Sequence, residues 1–324
     1  MALPEWARAH GAPLFTATLR SVPDDFRVTE ILDWPFSSDG EHDYLLIEKT
    51  GANTEWVARQ LARHAGVPAR EVGYAGLKDR HAVTTQWFSV PRWNAPDWSG
   101  AAIDGVRVLD AARHRKKLRR GAHGGNAFRI VLRSASLGDQ AAPLAQRIER
   151  IREQGVPNYF GEQRFGRQGS NLALVDDWAA GKRLPRQQRS LAISAARSFL
   201  FNELLDARVR DDTWHRLLPG DTANLDRTGS IFDVPVVDPE LERRCAEMDV
   251  HPAGTLAGAE SELGPGPWRK ALDKARVEPG TRSLRLRVGD LRHEILKNEA
   301  VLEFSLGRGA FATAVLRELA DYAR

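Results

Sequence analysis

Two stretches of alternating residues on either side of a helical middle constrain the fold most strongly. Apolar and polar residues alternate over 128–133 and again over 302–306, which is typical of strands with one buried face. Residues 171–211 instead repeat apolar positions at the spacing of consecutive helices. One stripe in this region is expected to pack in a core: Ala196, Phe199, Leu200 and Leu204. Strand-rich ends around a helical middle predict an α+β domain that is interrupted by a second domain.

Shorter patterns predict further elements. Asn53 is a good helix N-cap, and the apolar face that follows it stops at Gly66. Residues 212–280 contain many Pro, Gly and Asp residues and have no clear period, so no element is predicted there. The remaining predicted strands lie at 16–20, 26–32, 44–47, 88–90 and 284–288, and the remaining helices at about 140–154 and 312–322.

The composition is that of a globular protein. Hydrophobic residues make up 42% of the 324 positions and charged residues 28%, and the length suggests roughly two domains. No stretch approaches the ~20 apolar residues that a membrane helix needs, and the N-terminus has no apolar signal core. Because Cys245 is the single cysteine, no disulfide can form within one chain, and a reducing cytoplasm is the expected compartment.

Positive charge is concentrated in one segment, which we call the basic strip. Its residues 113–120 include six Lys or Arg in eight positions, whereas the net charge of the whole chain is +4. Such a run is compatible with a solvated face and also with a phosphate-binding surface. The residues alone do not choose between these interpretations.

Familiar cofactor motifs are absent or incomplete. Residues 307–312 match the G-x-G-x-x-A dinucleotide pattern, but only 12 residues follow them, and a βαβ unit needs about 30. The sequence contains no Walker loop, no H-E-x-x-H pair and no G-x-S-x-G motif, and one cysteine does not suffice for a structural zinc site. We therefore expect neither a nucleotide cofactor nor a metal.

The segment GYAGLKDRHAV, residues 73–83, places one carboxylate among cations. Asp79 lies between Lys78 and Arg80, which would point away from it in an extended segment, so its partner should come from elsewhere in the chain. A facing cation lowers an Asp pKa by roughly 1–3 units and would keep Asp79 ionised in a dry pocket. An ionised carboxylate there can act as a nucleophile or as a base. The alternative is a surface turn with a weak ion pair.

The segment that follows the basic strip has the composition of a nucleotide site. Residues 121–128 include three glycines, which allow a backbone to approach a ligand closely. Asn126 offers a donor and an acceptor, and Phe128 could stack on a base. These features suit a nucleotide that is turned out of its stack. Packing of Phe128 in the core is an equally acceptable interpretation.

Taken together, these stretches resemble the TruD family of pseudouridine synthases, which act on uridine 13 of tRNA. The segments AGLKDRHAVT and PNYFGEQRFG are the most specific, and the similarity runs through nearly the whole chain in the family's order. The similar stretches are 21–30, 73–90, 125–133, 156–166, 194–205 and 309–319.

The resemblance implies a two-domain fold. A pseudouridine-synthase catalytic domain of α+β type, with a mixed or antiparallel sheet, would comprise residues 1–152 and 282–324. An inserted α/β domain would comprise 153–281. The family's molecules are V-shaped, and the cleft between the domains would hold the RNA.

The resemblance also implies a set of site residues. The family's catalytic aspartate corresponds to Asp79. Its supporting basic residue, usually Lys, corresponds to Arg20, whose larger, forked side chain changes the pairing geometry. Residues that contact the uridine correspond to Phe26, Asn126 and Phe311, and Phe128 stands at a stacking position. Contacts with the RNA backbone are expected from Lys78, Arg80, His81, Arg113, Arg115, Lys116, Lys117, Arg119 and Arg120.

The implied function is the isomerisation of uridine to pseudouridine at position 13 of tRNA, without a cofactor and by a monomer in the cytoplasm. Asp79 would attack C1′ or remove a ribose proton, and the sequence does not choose between these roles. One alternative function is a non-catalytic tRNA-binding protein or tRNA-folding chaperone. Another is an RNA methyltransferase, which would need a complete glycine loop for S-adenosylmethionine.

Overall fold

The computed structural model describes residues 3–101, 103–259 and 267–323. Its strands are β1 Thr16–Leu19, β2 Phe26–Ile31, β3 His42–Lys49, β4 Gly73–Tyr74, β5 Val83–Pro91, β6 Val106–His114, β7 Gly125–Arg133, β8 Val156–Pro157, β9 Asp221–Leu225, β10 Ile231–Val234, β11 Val250–Leu256, β12 Gly280–Ser283, β13 Arg285–Leu286, β14 Gly289–Ile295, β15 Glu299–Gly307 and β16 Asp321–Ala323. Its helices are α1 Thr54–Ala65, α2 Ala141–Gln154, α3 Ser170–Ala179, α4 Arg186–Arg210, α5 Pro239–Ala246, α6 Pro267–Ala275 and α7 Ala312–Leu316.

The chain forms two compact units. The large-sheet unit contains residues 14–145, 289–309 and those from 320 on. The middle unit contains residues up to 13, 146–288 and 310–319.

The chain passes between these units at positions that differ from the predicted domain boundaries. Segments near both chain ends pack in the middle unit: the ring of Trp6 stacks on Tyr159 with centroids 6.2 Å apart, and the guanidinium of Arg317 lies 4.6 Å from the centre of the same ring. These contacts hold both segments in the middle unit. The expected domain extents, 1–152 with 282–324 and 153–281, stay a prediction.

A mixed sheet forms the centre of the large-sheet unit. Its strand order is β14-β15-β7-β2-β5-β3-β6, with β1 beside β7 and β4 beside β5. Strands β2 and β5 run parallel, as do β1 and β16, and the other neighbours are antiparallel. The α+β class with a mixed sheet is therefore confirmed.

Helix α1 begins and ends as its sequence predicts. Asn53 is the N-cap, and Gly66 follows the last turn in the left-handed conformation, φ 65°, where its amide donates to the final carbonyls. The face that carries Val57 and Leu61 packs on Leu45 of β3 and on other strand residues of the same core. All three of these side chains are fully buried, so the helix covers one face of the sheet.

The predicted C-terminal helix is too long. Residues 312–322 were expected to be helical, but α7 ends at Leu316. The carboxylate of Glu318 is fully buried and accepts hydrogen bonds from the amide of His10 and the guanidinium of Arg317. The following residues then form β16, which pairs in parallel with β1. Long-range pairing therefore overrides the local helical pattern.

The middle unit is built on α3 and α4. The expected stripe on α4 packs in its core, with Ala196 and Phe199 buried and Leu200 and Leu204 partly buried against them. A small sheet has the order β10-β9-β11-β12, and its first three strands lie in the region for which the sequence predicts no element. The predicted strand over 284–288 is reduced to the two residues of β13. No helix of the described chain is both long enough and apolar enough to cross a membrane.

Gly125→Ala should destabilise the protein. Gly125 is buried in β7, and a Cβ placed there would lie 2.3 Å from the carbonyl oxygen of Leu306 in β15. Because backbone atoms cannot yield as a side chain does, we expect a loss of about 1–3 kcal/mol in the free energy of unfolding, measured in urea.

Gly307 provides the matched control, because it is the direct partner of Gly125 across the two strands. A Cβ on Gly307 would have no described atom within 4 Å. Gly307→Ala should stay within about 1 kcal/mol of the wild type. Equal losses in the two variants would contradict the steric explanation.

Candidate active site

Aromatic rings line one face of the large sheet. Val28, Phe128 and Phe304 stand opposite one another on β2, β7 and β15. The ring of Phe128 stacks on Phe304 at 5.3 Å and meets Phe26 edge-on at 6.3 Å. Phe26 is buried, whereas Phe128 remains partly accessible. Phe128 therefore packs against other rings and still presents some of its surface.

The ion pair expected from the sequence is present on this face. An Arg20 nitrogen, Nη1, lies 2.9 Å from Oδ2 of Asp79, and both side chains are about 30% exposed or less. The Arg20 guanidinium also lies over the ring of Phe26, with 4.3 Å between Cζ and the ring centre. The pair thus joins the end of β1 to the loop before β5, two segments far apart in sequence.

The backbone at Arg20 is strained. Its φ is 63°, which is in the left-handed region. Residues other than glycine adopt this backbone conformation at a cost of order 1 kcal/mol or more. This conformation occurs directly after β1 ends at Leu19. It accompanies the placement of the guanidinium between Phe26 and Asp79.

A buried lysine holds the backbone of Asp79. Lys49, at the end of β3, is 1% exposed, and its ammonium donates to the carbonyl oxygens of Ala52 at 2.8 Å and Asp79 at 3.1 Å. Burial lowers the pKa of Lys49 to about 8, and the negative charge of Asp79 opposes this shift. We call these contacts the Lys49 clamp. The second carboxylate oxygen of Asp79 accepts a bond from the amide of His81 at 2.9 Å.

A second buried pair fixes the residue before Asp79. The ammonium of Lys78 lies 3.1 Å from Oε2 of Glu30, with the two side chains 6% and 0% exposed. Trp87 donates its amide to the other carboxylate oxygen of Glu30. The ammonium of Lys78 is therefore held inside the protein, which does not agree with its expected contact with RNA phosphate.

Polar side chains hold the rest of the loop. Thr54 accepts a hydrogen bond from the amide of Lys78 and donates to Gln86, and Gln86 donates to the carbonyl of Gly76. Strand β5 and the first turn of α1 thus fix the segment from both sides.

Sequence reasoning missed these supporting residues, although a signal for two of them was present. Glu30 continues the alternation of Phe26 and Val28, and Lys49 continues that of Leu45 and Ile47. A charged residue at a buried position of a strand is costly unless it has a partner. The charges of Glu30 and Lys49 at buried strand positions therefore indicated that each has a partner inside the protein.

The glycines at the start of β7 serve internal packing. A Cβ on Gly124 would overlap the carboxylate of Asp33, and one on Gly125 would meet the carbonyl of Leu306. The close approach that was expected toward a ligand is therefore made to other parts of the chain. Beside them, Oδ1 of Asn126 is buried and has no hydrogen-bond partner among the described residues.

The basic strip is only partly free of acidic partners. Arg115 pairs with Asp39, Lys117 lies 3.5 Å from Glu71, and Arg113 donates to a carbonyl. The guanidinium of Arg120 lies 3.6 Å from the centre of the Tyr74 ring. Four expected phosphate ligands are exposed, and their side chains contact no carboxylate, carbonyl or ring within the described ranges: Arg80, His81, Lys116 and Arg119.

Phe311 belongs to the middle unit. Its ring packs against Phe160 at 6.3 Å, and the guanidinium of Arg164 lies 5.7 Å from its centre. Its role toward the uridine stays a prediction.

A cavity of about 430 Å³ lies against β2, β7 and β15 of the large sheet. Arg27 and Thr29 line it together with Val28, Phe128 and Phe304 of the aromatic face. Arg129 and Glu303, which also line it, lie 3.7 Å apart and offset each other's charge. This cavity does not contain Asp79.

Throughout the described chain, no three His, Cys, Asp or Glu side chains are placed to hold a metal ion.

Lys49→Met should remove a pH dependence of stability. The pKa of Lys49 is lowered from 10.5 to about 8, so between these values the unfolded chain binds more protons at this position than the folded chain. The free energy of unfolding therefore increases as the pH rises through this window, by at most about 1.4 kcal/mol per pH unit. The free energy of unfolding of the wild type should rise there relative to that of Lys49→Met.

The matched control is Lys182→Met, which removes an exposed lysine that pairs with Asp177. Its stability should follow the wild type at every pH. A constant difference between the wild type and Lys49→Met across this window would show that the pKa of Lys49 is not depressed.

Comparison with known proteins places the chain in a family. The family model of tRNA pseudouridine synthase D (TruD) matches residues 9–178 and 171–279. The chain is 44% identical over 334 residues to tRNA pseudouridine synthase D of Pseudomonas fluorescens, covering 97% of this chain and 94% of that one. It is 43% identical to the enzyme of the same name from Methylococcus capsulatus, with the same coverage.

A solved structure shares the fold. The putative tRNA pseudouridine synthase D of Methanosarcina mazei superposes with a TM-score of 0.76, at 20% identity, over 98% of this chain and 96% of that one. The chain therefore belongs to the TruD family and is an enzyme that isomerises uridine to pseudouridine in tRNA.

Proposed function

We propose that Asp79 is the catalytic residue and that the enzyme acts on uridine 13 of tRNA. The observation that carries the proposal is the contact of 2.9 Å between Arg20 and Asp79 on the aromatic face of the sheet. The Lys49 clamp fixes the backbone of Asp79, and Arg20 fixes its carboxylate. An aspartate whose backbone and carboxylate are both held is preoriented for reaction.

The reaction needs few participants. The N1–C1′ bond breaks, the detached uracil turns, and C5 bonds to C1′; the C5 proton leaves and N1 gains one. Because the formula of the nucleoside is unchanged, no co-substrate is consumed. Asp79 acts either by attacking C1′ or by taking a ribose proton. The positive charge of Arg20 stabilises the carboxylate in both cases.

The target base is held by the residues beside this pair. Turning a base out of its stack costs a few kcal/mol, and stacking on an aromatic ring returns about 1–3 kcal/mol. Phe128 is the partly accessible ring of the aromatic face. Asn126 supplies an unpartnered acceptor, suited to the N3–H of uracil or to a ribose hydroxyl. Phe26, whose ring lies under Arg20, instead positions that cation.

The enzyme works as a monomer in the cytoplasm under this proposal. Arg20, Asp79, Asn126 and Phe128 all come from one chain, so this part of the site needs no second copy. The single cysteine, Cys245, is buried as a free thiol, which suits a reducing compartment.

Asp79→Asn should abolish pseudouridine formation and leave tRNA affinity within a few-fold. The amide has the shape of the carboxylate, but it is neither a nucleophile nor a base. Release of tritium from tRNA labelled at uridine C5 measures turnover, and filter binding measures affinity.

Asp177→Asn is the control, because Asp177 has an exposed lysine partner and belongs to the middle unit. This variant should retain full activity. Turnover by Asp79→Asn near the wild-type rate would remove Asp79 from the proposed role.

Within the basic strip, Lys116→Ala with Arg119→Ala should weaken tRNA binding more than Arg115→Ala with Lys117→Ala. Both double variants remove two charges, but Arg115 and Lys117 already face carboxylates. Each lost phosphate contact should reduce the slope of log affinity against log salt by about 1.

Equal slopes in the two double variants would mean that the acidic partners do not matter for binding. If both double variants keep the wild-type slope, the basic strip is a solvated face that does not contact phosphate.

A further inference from the structure

Two arginines of the middle unit lie near the ring of Phe160, and a third lies one helical turn along α4 from a residue that one of them contacts. The guanidinium of Arg282 lies 4.1 Å from the ring centre and that of Arg164 lies 5.4 Å from it. Arg164 also donates to the hydroxyl of Ser194 on α4, and Arg197 follows Ser194 by one helical turn. We call Arg164, Arg197 and Arg282 the arginine cluster.

Strand β12 connects Arg282 with Arg197. A Cβ on Gly280 would lie 3.2 Å from a guanidinium nitrogen of Arg197. Arg282 is two residues further along the same strand and therefore on the same face as Gly280. Arg197 is therefore linked to Arg164 through α4 and to Arg282 through β12.

Two members of this cluster, Arg164 and Arg197, have no carboxylate partner within the described residues. No carboxylate of the described chain lies within 4 Å of Arg164 or Arg197, whereas Arg208 and Arg243 in the same unit pair directly with acids. Arg197 donates to two backbone carbonyls, and its Nε is buried without a partner among the described residues.

Burial of these cations carries a free-energy cost. It lowers the pKa of Arg164 and of Arg197, and it lowers that of Arg282 to about 9, with the charge of Arg164 adding to the effect. Proteins normally offset such a cost with a paired anion. Partly buried arginines that have no carboxylate partner are consequently prepared for an external anion.

We propose that the arginine cluster binds a phosphate group of the tRNA backbone. The proposal rests on the function proposed above, since a tRNA substrate supplies phosphate as its anion. Guanidinium groups bind phosphate through two parallel N–H donors, and stacking on Phe160 orients the plane of this fork. The guanidinium of Arg164 also lies 5.7 Å from the centre of the Phe311 ring, so two rings restrict its orientation.

The alternative is a purely structural role, in which the arginines hold carbonyl groups together. Arg197 bonds to the carbonyls of Leu256 and Glu278, and Arg282 bonds to Asn158. Arg164 is the best residue for a test because its guanidinium contacts one hydroxyl and two rings and no backbone carbonyl of the described chain.

Arg164→Met keeps the length of the side chain and removes its charge. We expect about ten-fold weaker tRNA binding and a salt slope lower by about 1, with a melting temperature near that of the wild type. The control is Arg243→Met, since Arg243 is exposed and pairs with Glu240 and Glu247. Its affinity and slope should equal those of the wild type.

Inorganic phosphate separates a general anion site from an RNA site. It should raise the melting temperature of the wild type above that in chloride of equal ionic strength, and Arg164→Met should lose this increase. A folded Arg164→Met protein with the affinity and salt slope of the wild type would overturn the proposal, even if inorganic phosphate still stabilises the wild type.

If Arg164→Met does not fold, Arg164→Lys replaces it. This variant keeps one charge without the planar fork, so it should keep the salt slope and lose part of the affinity. Wild-type affinity in a folded Arg164→Lys protein would contradict recognition by the fork. All these measurements concern binding and not turnover, so they stand whether or not Asp79 is the catalytic residue.

Discussion

The position of one carboxylate depends on charges that the protein has buried around it. Lys49 reaches the backbone of Asp79 from the end of a strand, and Lys78 is drawn inward by Glu30 on a neighbouring strand. Burying these groups costs free energy that hydrogen bonds and opposite charges offset only within a closely packed geometry. The loop therefore has little freedom, and Arg20 meets the carboxylate at a fixed place.

The sheet makes this geometry possible because it brings distant segments into register. Strand β7 stands between β2 and β15, so that Phe128 lies beside Phe304 and close to Phe26. Because Gly125 has no Cβ, its backbone can lie close to the carbonyl of Leu306 in β15. Strands β7 and β15 therefore stay paired up to the position of Asn126 and beyond it to Gly125. Rigid strands hold side chains more accurately than loops do, which suits a reaction that depends on orientation.

Charge has a different use on the surfaces assigned to RNA. Several cations of the basic strip already have acidic partners, so fewer of them remain for phosphate than the sequence suggests. The arginine cluster has the opposite character, since Arg164 and Arg197 are partly buried without acidic partners in the described chain. A count of charges along a sequence does not distinguish these cases, because pairing is decided by folding.

The sequence by itself determined the local elements and the chemistry that is available. Helix α1 begins and ends at the residues that its capping pattern indicates, and the alternation over 128–133 and 302–306 forms neighbouring strands of one sheet. Asp79 could be chosen as a candidate from sequence because its charged neighbours and its motif are local features. The tertiary structure decided that Lys78 faces Glu30, that Lys49 holds the loop, and that the chain after Leu316 pairs with β1. These contacts join residues that are distant along the chain, and such pairing leaves no periodic signal in either partner.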